Sequence, residues 1–205
     1  MCQNVRPMLL RSFFGVSLGA LLLSSTIACG EPASSENAGG DPEGAFSADV
    51  ISKTDAQVKA DIEAAAQGIL YVSESDYPFT WVEAKLEGQK SITQDMVRQK
   101  LASYVDGDEA ADKPLSSLVA MNGDWPEWKR DYLSCDENAY PGPEECAKMK
   151  VLNDALEKNL RGIKVIYFGR DGTRGHVDGV GVSIFIVGRT PQGNLAGVRT
   201  IAIWT

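Results

Sequence analysis

Few side chains in this 205-residue sequence have the types and spacing that chemistry needs. Its one histidine, His176, stands near Asp178 in a glycine-rich stretch. A general base needs a partner or an activated nucleophile, and no second histidine or nucleophile lies nearby in sequence, so His176 reads as a surface residue. The acidic positions between Asp171 and Asp178 lack the alternating acidic pattern of a calcium loop. Glu144-Glu145 stands where a helix begins, which makes it a favourable charge pair at a helix N-terminus before it is a carboxylate dyad. Cys135 and Cys146 bracket Tyr140-Pro-Gly-Pro143 and are expected to form a local disulfide. Structural zinc normally takes four ligands from cysteine and histidine, and one histidine in the whole chain makes such a site a poor alternative. There is no phosphate-binding glycine loop after a strand, no G-x-S-x-G elbow and no H-E-x-x-H helix. No catalytic constellation emerges, no cofactor is called for, and the chain reads as a non-enzyme.

The elements that would hold a site in place are clearer. In the C-terminal stretch, Val182, Ile184 and Ile186 fill one alternation set and Phe185 and Val187 the other. Apolar residues on both sets mark a strand covered on both faces, hence a central one. Thr190-Pro-Gln-Gly193 then reads as a type I turn, with a returning antiparallel strand that carries Trp204 to the chain end at Thr205. Upstream, Thr54-Asp-Ala-Gln57 matches a capping box, and Val58, Ile62, Ala65, Ala66 and Ile69 recur at helical spacing, predicting a helix from about Asp55 to Gln67. Trp81, Val82, Ala84 and Leu86 predict a strand. A second helix is expected over Ser91 to Tyr104 with Ser91 as its cap. Pro143 suits the first turn of a long helix with Met149, Leu152, Leu156 and Leu160 on one stripe, and Lys164 to Phe168 is the next strand. Asn122-Gly-Asp-Trp-Pro-Glu-Trp128 is too polar for a regular core element; its tryptophans either lid a core edge or belong to a binding surface. Gly169 to Gly179 reads as a mobile connection. Helices thus alternate with strands that need cover on two sides. The predicted architecture is α+β, an α-β-α sandwich on a mainly antiparallel sheet of four or five strands.

The N-terminus carries an address. Arg6 and Arg11 precede an apolar core from Phe13 to Leu23 that is too short to span as a stable anchor, so residues 1–28 read as a signal peptide. Ser25-Thr-Ile-Ala-Cys29-Gly resembles a bacterial lipobox, although Thr26 stands where leucine is usual. Loss of Cys2 with the signal and acylation of Cys29 would leave Cys135 and Cys146 as an even pair. Cys29 is therefore the expected lipidation site of a protein held in the bacterial cell envelope, with ordinary secretion as the alternative. Residues 29–52 are rich in Gly, Ala, Ser, Glu, Asp and Pro and read as a flexible tether, leaving 53–205 as the folded domain. With Arg6 and Arg11 removed, the formal charge of −8 becomes −10. So acidic a surface argues against direct nucleic-acid binding and is compatible with a basic protein partner.

Two motifs carry a family resemblance. Ser73-Glu-Ser-Asp-Tyr-Pro-Phe79, preceded by Gly68-Ile-Leu-Tyr71, and Val187-Gly-Arg-Thr-Pro-Gln-Gly-Asn-Leu-Ala-Gly197 together resemble the nuclease A inhibitor family. The likeness runs from about Thr54 to Thr205 and includes a helix ending in Lys158-Asn-Leu160. It implies an α-β-α sandwich that plugs the active site of a sugar-non-specific, magnesium-dependent ββα-metal endonuclease. Carried over by motif, Glu74 and Thr205 would lie at the heart of the contact, Thr205 close to the enzyme's magnesium, with Trp125 of Asp124-Trp125 contributing and Trp128 a weaker match. The chain departs from the family pattern in having Arg189 where an acidic residue is usual, a longer Gly169 to Gly179 loop and the cysteine-bounded segment. The same fold binding some other protein is the alternative reading.

Overall fold

The doubly apolar stretch from Val182 to Arg189 lies in the middle of a sheet, as its pattern requires. In the computed structural model, which describes residues 45–88, 91–106, 113–130, 135, 142–170 and 181–203, the strands are β1 (Leu70–Tyr71), β2 (Tyr77–Pro78), β3 (Thr80–Ala84), β4 (Val119–Gly123), β5 (Arg161–Gly169), β6 (Val182–Arg189) and β7 (Leu195–Ala202). The helices are α1 (Ala48–Ile51), α2 (Asp55–Ala66), α3 (Gln94–Lys100), α4 (Trp125–Arg130) and α5 (Pro143–Asn159). β3 to β7 form one five-stranded sheet in the order β3-β7-β6-β5-β4, and every pairing in it is antiparallel. A small second sheet pairs β1 with β2.

Alternation along β6 splits the interior into two layers. Val182, Ile184 and Ile186 join Val58 and Ile62 of α2 and Met149, Leu152 and Leu156 of α5 in one apolar cluster. Phe185 and Val187 join Val97 and Leu101 from the α3 region in the other, with Leu115, Leu118 and Phe168. A sheet with helices on both faces is an α-β-α sandwich, and its inner strands must be apolar on both sides. All eight residues of β7 are buried, like all of β6 but Arg189.

Local signals explain most of the elements. The capping box at Thr54 forms from both directions: the Gln57 N–H donates to Thr54 Oγ1 at 3.3 Å and the Thr54 N–H to Gln57 Oε1 at 2.9 Å. Pro143 opens the seventeen-residue α5, with Glu144 and Glu145 in its first turn. Cys135 and Cys146 are joined in a disulfide, which ties the start of α5 to the segment after α4.

Several elements differ from expectation. The cap of α3 is Thr93, whose Oγ1 accepts from the Met96 N–H at 3.2 Å, and the helix gives way after Lys100 to a 3₁₀ turn at Ala102–Tyr104. Ser91 and Thr93 are both cap-forming types, and the three-residue spacing to a helical N–H is met by Thr93. β5 begins at Arg161, with a register shift between Arg161 and Lys164, so the strand starts ahead of the apolar run that marks it in sequence. The polar stretch around Gly123 contains two regular elements, the edge strand β4 and the short helix α4. Tyr77 and Pro78 pair with β1 in the small sheet. Packing also starts before residue 53: Val50 of α1 is fully buried and the Arg161 guanidinium lies 4.3 Å from the centre of the Phe46 ring.

Candidate functional site

The motif Ser73-Glu-Ser-Asp76 forms the link between β1 and β2. Its own polar groups shape it: the Ser73 N–H donates to Asp76 Oδ1 at 3.3 Å and the Ser73 hydroxyl donates to the Ser75 carbonyl at 2.7 Å. Such short-range side-chain bonds are how serine and aspartate fold a tight loop. Glu74, Ser75 and Asp76 are exposed at its crest.

The loop is fastened to the far end of β7. The Glu74 N–H donates to the Ile203 carbonyl at 3.0 Å, and the Ile203 N–H donates to Ser73 Oγ at 3.2 Å. On the other side of the loop, the Thr200 hydroxyl donates to the Tyr77 carbonyl at 3.2 Å. Ile203 is two positions before Thr205. Trp204 and Thr205 lie outside the described residues, as do Cys29, His176 and Asp178. The structure thus joins Glu74 to the immediate approach to Thr205, across a sequence separation of 130 for the Ser73 bond.

Of the two tryptophans of α4, Trp128 reaches the strand before this loop through Tyr71. Trp128 stacks on Tyr71, ring centres 5.7 Å apart and planes 16° from parallel, and its indole N–H donates to Asn153 Oδ1 of α5 at 3.3 Å. Tyr71 also meets Phe79 edge to face at 6.2 Å. Trp128 is buried, so the family-motif tryptophan with surface left to offer is the half-buried Trp125. The Trp125 indole N–H donates to Glu157 Oε1 at 3.1 Å, and Lys129, paired with the same carboxylate, holds its ammonium 5.8 Å from the Trp125 ring. These contacts fix the ring in one orientation on α5.

A hollow of about 330 Å³ adjoins the loop, lined by Ile69, Leu70, Val72, Asp76, Glu145 and Lys148. Leu70 is 44% exposed there. On the solvent side of α5, Lys148 Nζ lies 2.6 Å from Glu144, and this pairing lowers the Glu144 pKa and raises that of Lys148. Among the described residues, no group of three or more His, Cys, Asp and Glu could hold a metal ion, and no helix is long and apolar enough to cross a membrane. What this loop can do chemically is present an acidic side chain on a braced backbone, next to a Tyr71 ring stacked on the buried Trp128. That is the equipment of a binding surface.

Sequence reasoning missed Ser73 and Ile203 as partners. Nothing local signals a bond between residues so far apart, and only the antiparallel return of β7 brings them together.

A family profile described as nuclease A inhibitor-like protein matches residues 56–205, well over half of the chain. No curated relative matches it. The family is inhibitor-like and non-catalytic. The chain belongs to the nuclease A inhibitor-like family.

Proposed function

We propose that this protein is an envelope lipoprotein that blocks a non-specific, magnesium-dependent DNA/RNA endonuclease by occupying its active site. The observation that carries the reading is the Glu74–Ile203 hydrogen bond, which sets the exposed carboxylate-bearing loop beside the approach to Thr205. A nuclease that holds phosphates presents basic groups and a cation. Glu74 would meet a basic active-site side chain in a charge-assisted hydrogen bond, and an oxygen of Thr205 would face the enzyme's magnesium or its waters. Trp125 would supply apolar contact at the flank. A formal charge of −10 without Arg6 and Arg11 favours approach to such a basic cleft and disfavours the chain's own binding to nucleic acid. Cys29 would carry the lipid, with residues ahead of the fold as the tether; the multiple acyl chains of a lipoprotein anchor stably where a single chain does not.

The test is DNA digestion by a ββα-metal nuclease with and without the full chain in excess. Potent inhibition is expected, and Glu74→Ala weakens it by at least about tenfold, the usual scale for losing a hydrogen bond to a charged group. Adding one residue after Thr205 weakens it as well. Failure of the wild-type chain to inhibit across several such nucleases discards this reading in favour of another protein partner. Release of the Cys29→Ser chain from membranes tests the anchor, and its retention there rules the lipid out.

A further inference from the structure

We propose that Ser73 is a positioning residue: its hydroxyl locks the Glu74 loop to the end of β7, so that Glu74 and Ile203 move as one body. As a statement about inhibition, this rests on the nuclease reading above. The geometry is specific. One oxygen does two things at once, donating its proton to the Ser75 carbonyl at 2.7 Å and accepting the Ile203 N–H at 3.2 Å. The first bond folds the crest of the loop back on its own stem. The second continues the ladder of β7 one step past Ala202, where pairing with β6 ends. With the Glu74 N–H bound to the Ile203 carbonyl at 3.0 Å, both backbone polar groups of Ile203 are taken by adjacent residues of one loop.

Ile203 is therefore aligned by the loop instead of by a neighbouring strand. β7 hands its last step from β6 to a loop, and the loop that receives it is the one carrying Glu74. A binding face made of two chain segments 130 residues apart gains most when both are ordered before the partner arrives, since ordering them on contact subtracts from affinity. Ser73 supplies that order with a single hydroxyl. Threonine retains the hydroxyl, whereas alanine removes both bonds.

The experiment has two readouts on the full chain. Amide hydrogen exchange of Glu74 and Ile203 is followed by NMR in wild type, Ser73→Ala and Ser73→Thr, with no nuclease present. Ser73→Ala accelerates exchange at Ile203, which loses its acceptor, and also at Glu74, whose own acceptor is untouched; Ser73→Thr restores both. Acceleration at Ile203 alone overturns the proposal, because the loop and the strand end would then be independent. Inhibition of a ββα-metal nuclease is measured in the same variants and in Glu74→Ala. Ser73→Ala is expected to weaken inhibition about three- to tenfold, the range of one or two net hydrogen bonds, and to weaken it much less in the Glu74→Ala background. Full additivity of the two substitutions likewise overturns it. If the wild-type chain inhibits no nuclease while the Glu74 amide responds to Ser73→Ala, the nuclease reading falls and the coupling stands.

Discussion

The two sequence motifs that mark the family sit at opposite ends of β7, and they are built in opposite ways. At the hairpin end, Arg189-Thr-Pro-Gln-Gly-Asn194 turns inward on itself and on α2. The Gly193 N–H closes the turn onto the Thr190 carbonyl at 2.9 Å, with Gly193 at φ +83°, a left-handed geometry that glycine adopts without steric cost. Asn194 is shared three ways: its N–H donates to Thr190 Oγ1, its amide nitrogen donates to Asp55 Oδ2 at 2.6 Å, and its amide oxygen accepts the Leu86 N–H at 3.3 Å. Arg189 too donates to the Gly193 carbonyl at 3.4 Å. At the other end, Ser73 and Asp76 spend their polar atoms bracing the backbone while Glu74 stays exposed. The lesson is that equal likeness in sequence covers unequal roles. One motif meets the needs of a turn and a helix start, and the other holds an acidic residue exposed on a loop that its neighbours brace.

Substitutions at the two ends should therefore separate stability from inhibition. The largest effect is expected at Gly197, inside the hairpin motif. A Cβ built there would lie 2.0 Å from the Ile186 carbonyl oxygen, a backbone atom with nowhere to go in the middle of the sheet. Gly197→Ala should cost about 3 kcal/mol or more of unfolding free energy, at the upper end of overpacking effects. A urea denaturation series reads this directly, and an unchanged midpoint would mean that β6 and β7 can move apart more freely than their pairing implies. Under conditions where the variant is folded, inhibition should match wild type.

Next in size is the disulfide, which belongs to neither end. It closes a loop with a sequence separation of 11 and ties the start of α5, whose Glu145 and Lys148 line the hollow beside the Glu74 loop. From the chain-entropy model, removing it in Cys135→Ser/Cys146→Ser should cost about 2 to 3 kcal/mol, seen as a lower thermal midpoint. If inhibition falls further than the folded fraction does, the start of α5 is part of the contact face; if the two fall together, the bridge only stabilises.

How much of this could be read from sequence follows the range of the forces involved. The central position of β6, the Thr54 capping box and the Pro143 start of α5 are encoded within a few residues, as periodicity or as a cap, and they are found where expected. Less visible were β4 and α4. Ala120-Met-Asn-Gly is an edge strand that is never deeply buried, so alternation is faint, and Trp128 finds its burial only by stacking on Tyr71 and bonding to Asn153, both distant in sequence. The cap of α3 lies at Thr93, two residues past the Ser91 that the sequence favours, because two hydroxyl residues compete for one role. For the candidate site, Glu74 and Trp125 are singled out by a family likeness alone, since an exposed glutamate and a half-buried tryptophan carry no periodic signal. Their bracing was not legible, because the Ser73–Ile203 and Trp125–Glu157 bonds depend on the completed fold.

The smallest change that sharpens the comparison is Asn194→Ala set against Glu74→Ala. Removing the Asn194 side chain strips the Leu86 N–H of its acceptor and Asp55 Oδ2 of its donor, at a site where Asp55 Oδ1 is already buried without a hydrogen-bond partner among the described residues. Unmet polar groups of this kind cost about 1 to 3 kcal/mol each when fully buried, and these are only partly buried, so a loss of about 1 to 2 kcal/mol is expected. Glu74→Ala removes an exposed side chain, and exposed polar contacts are worth at most about 1 kcal/mol, which bounds its effect on stability. Its effect on inhibition should be the reverse, at least about tenfold, while Asn194→Ala leaves inhibition unchanged at temperatures where it is folded. Denaturation midpoints and inhibition constants measured on the same two preparations decide the matter. If Asn194→Ala weakens inhibition as much as Glu74→Ala does, the hairpin end also touches the partner, and the division of β7 into a structural end and a contact end is wrong.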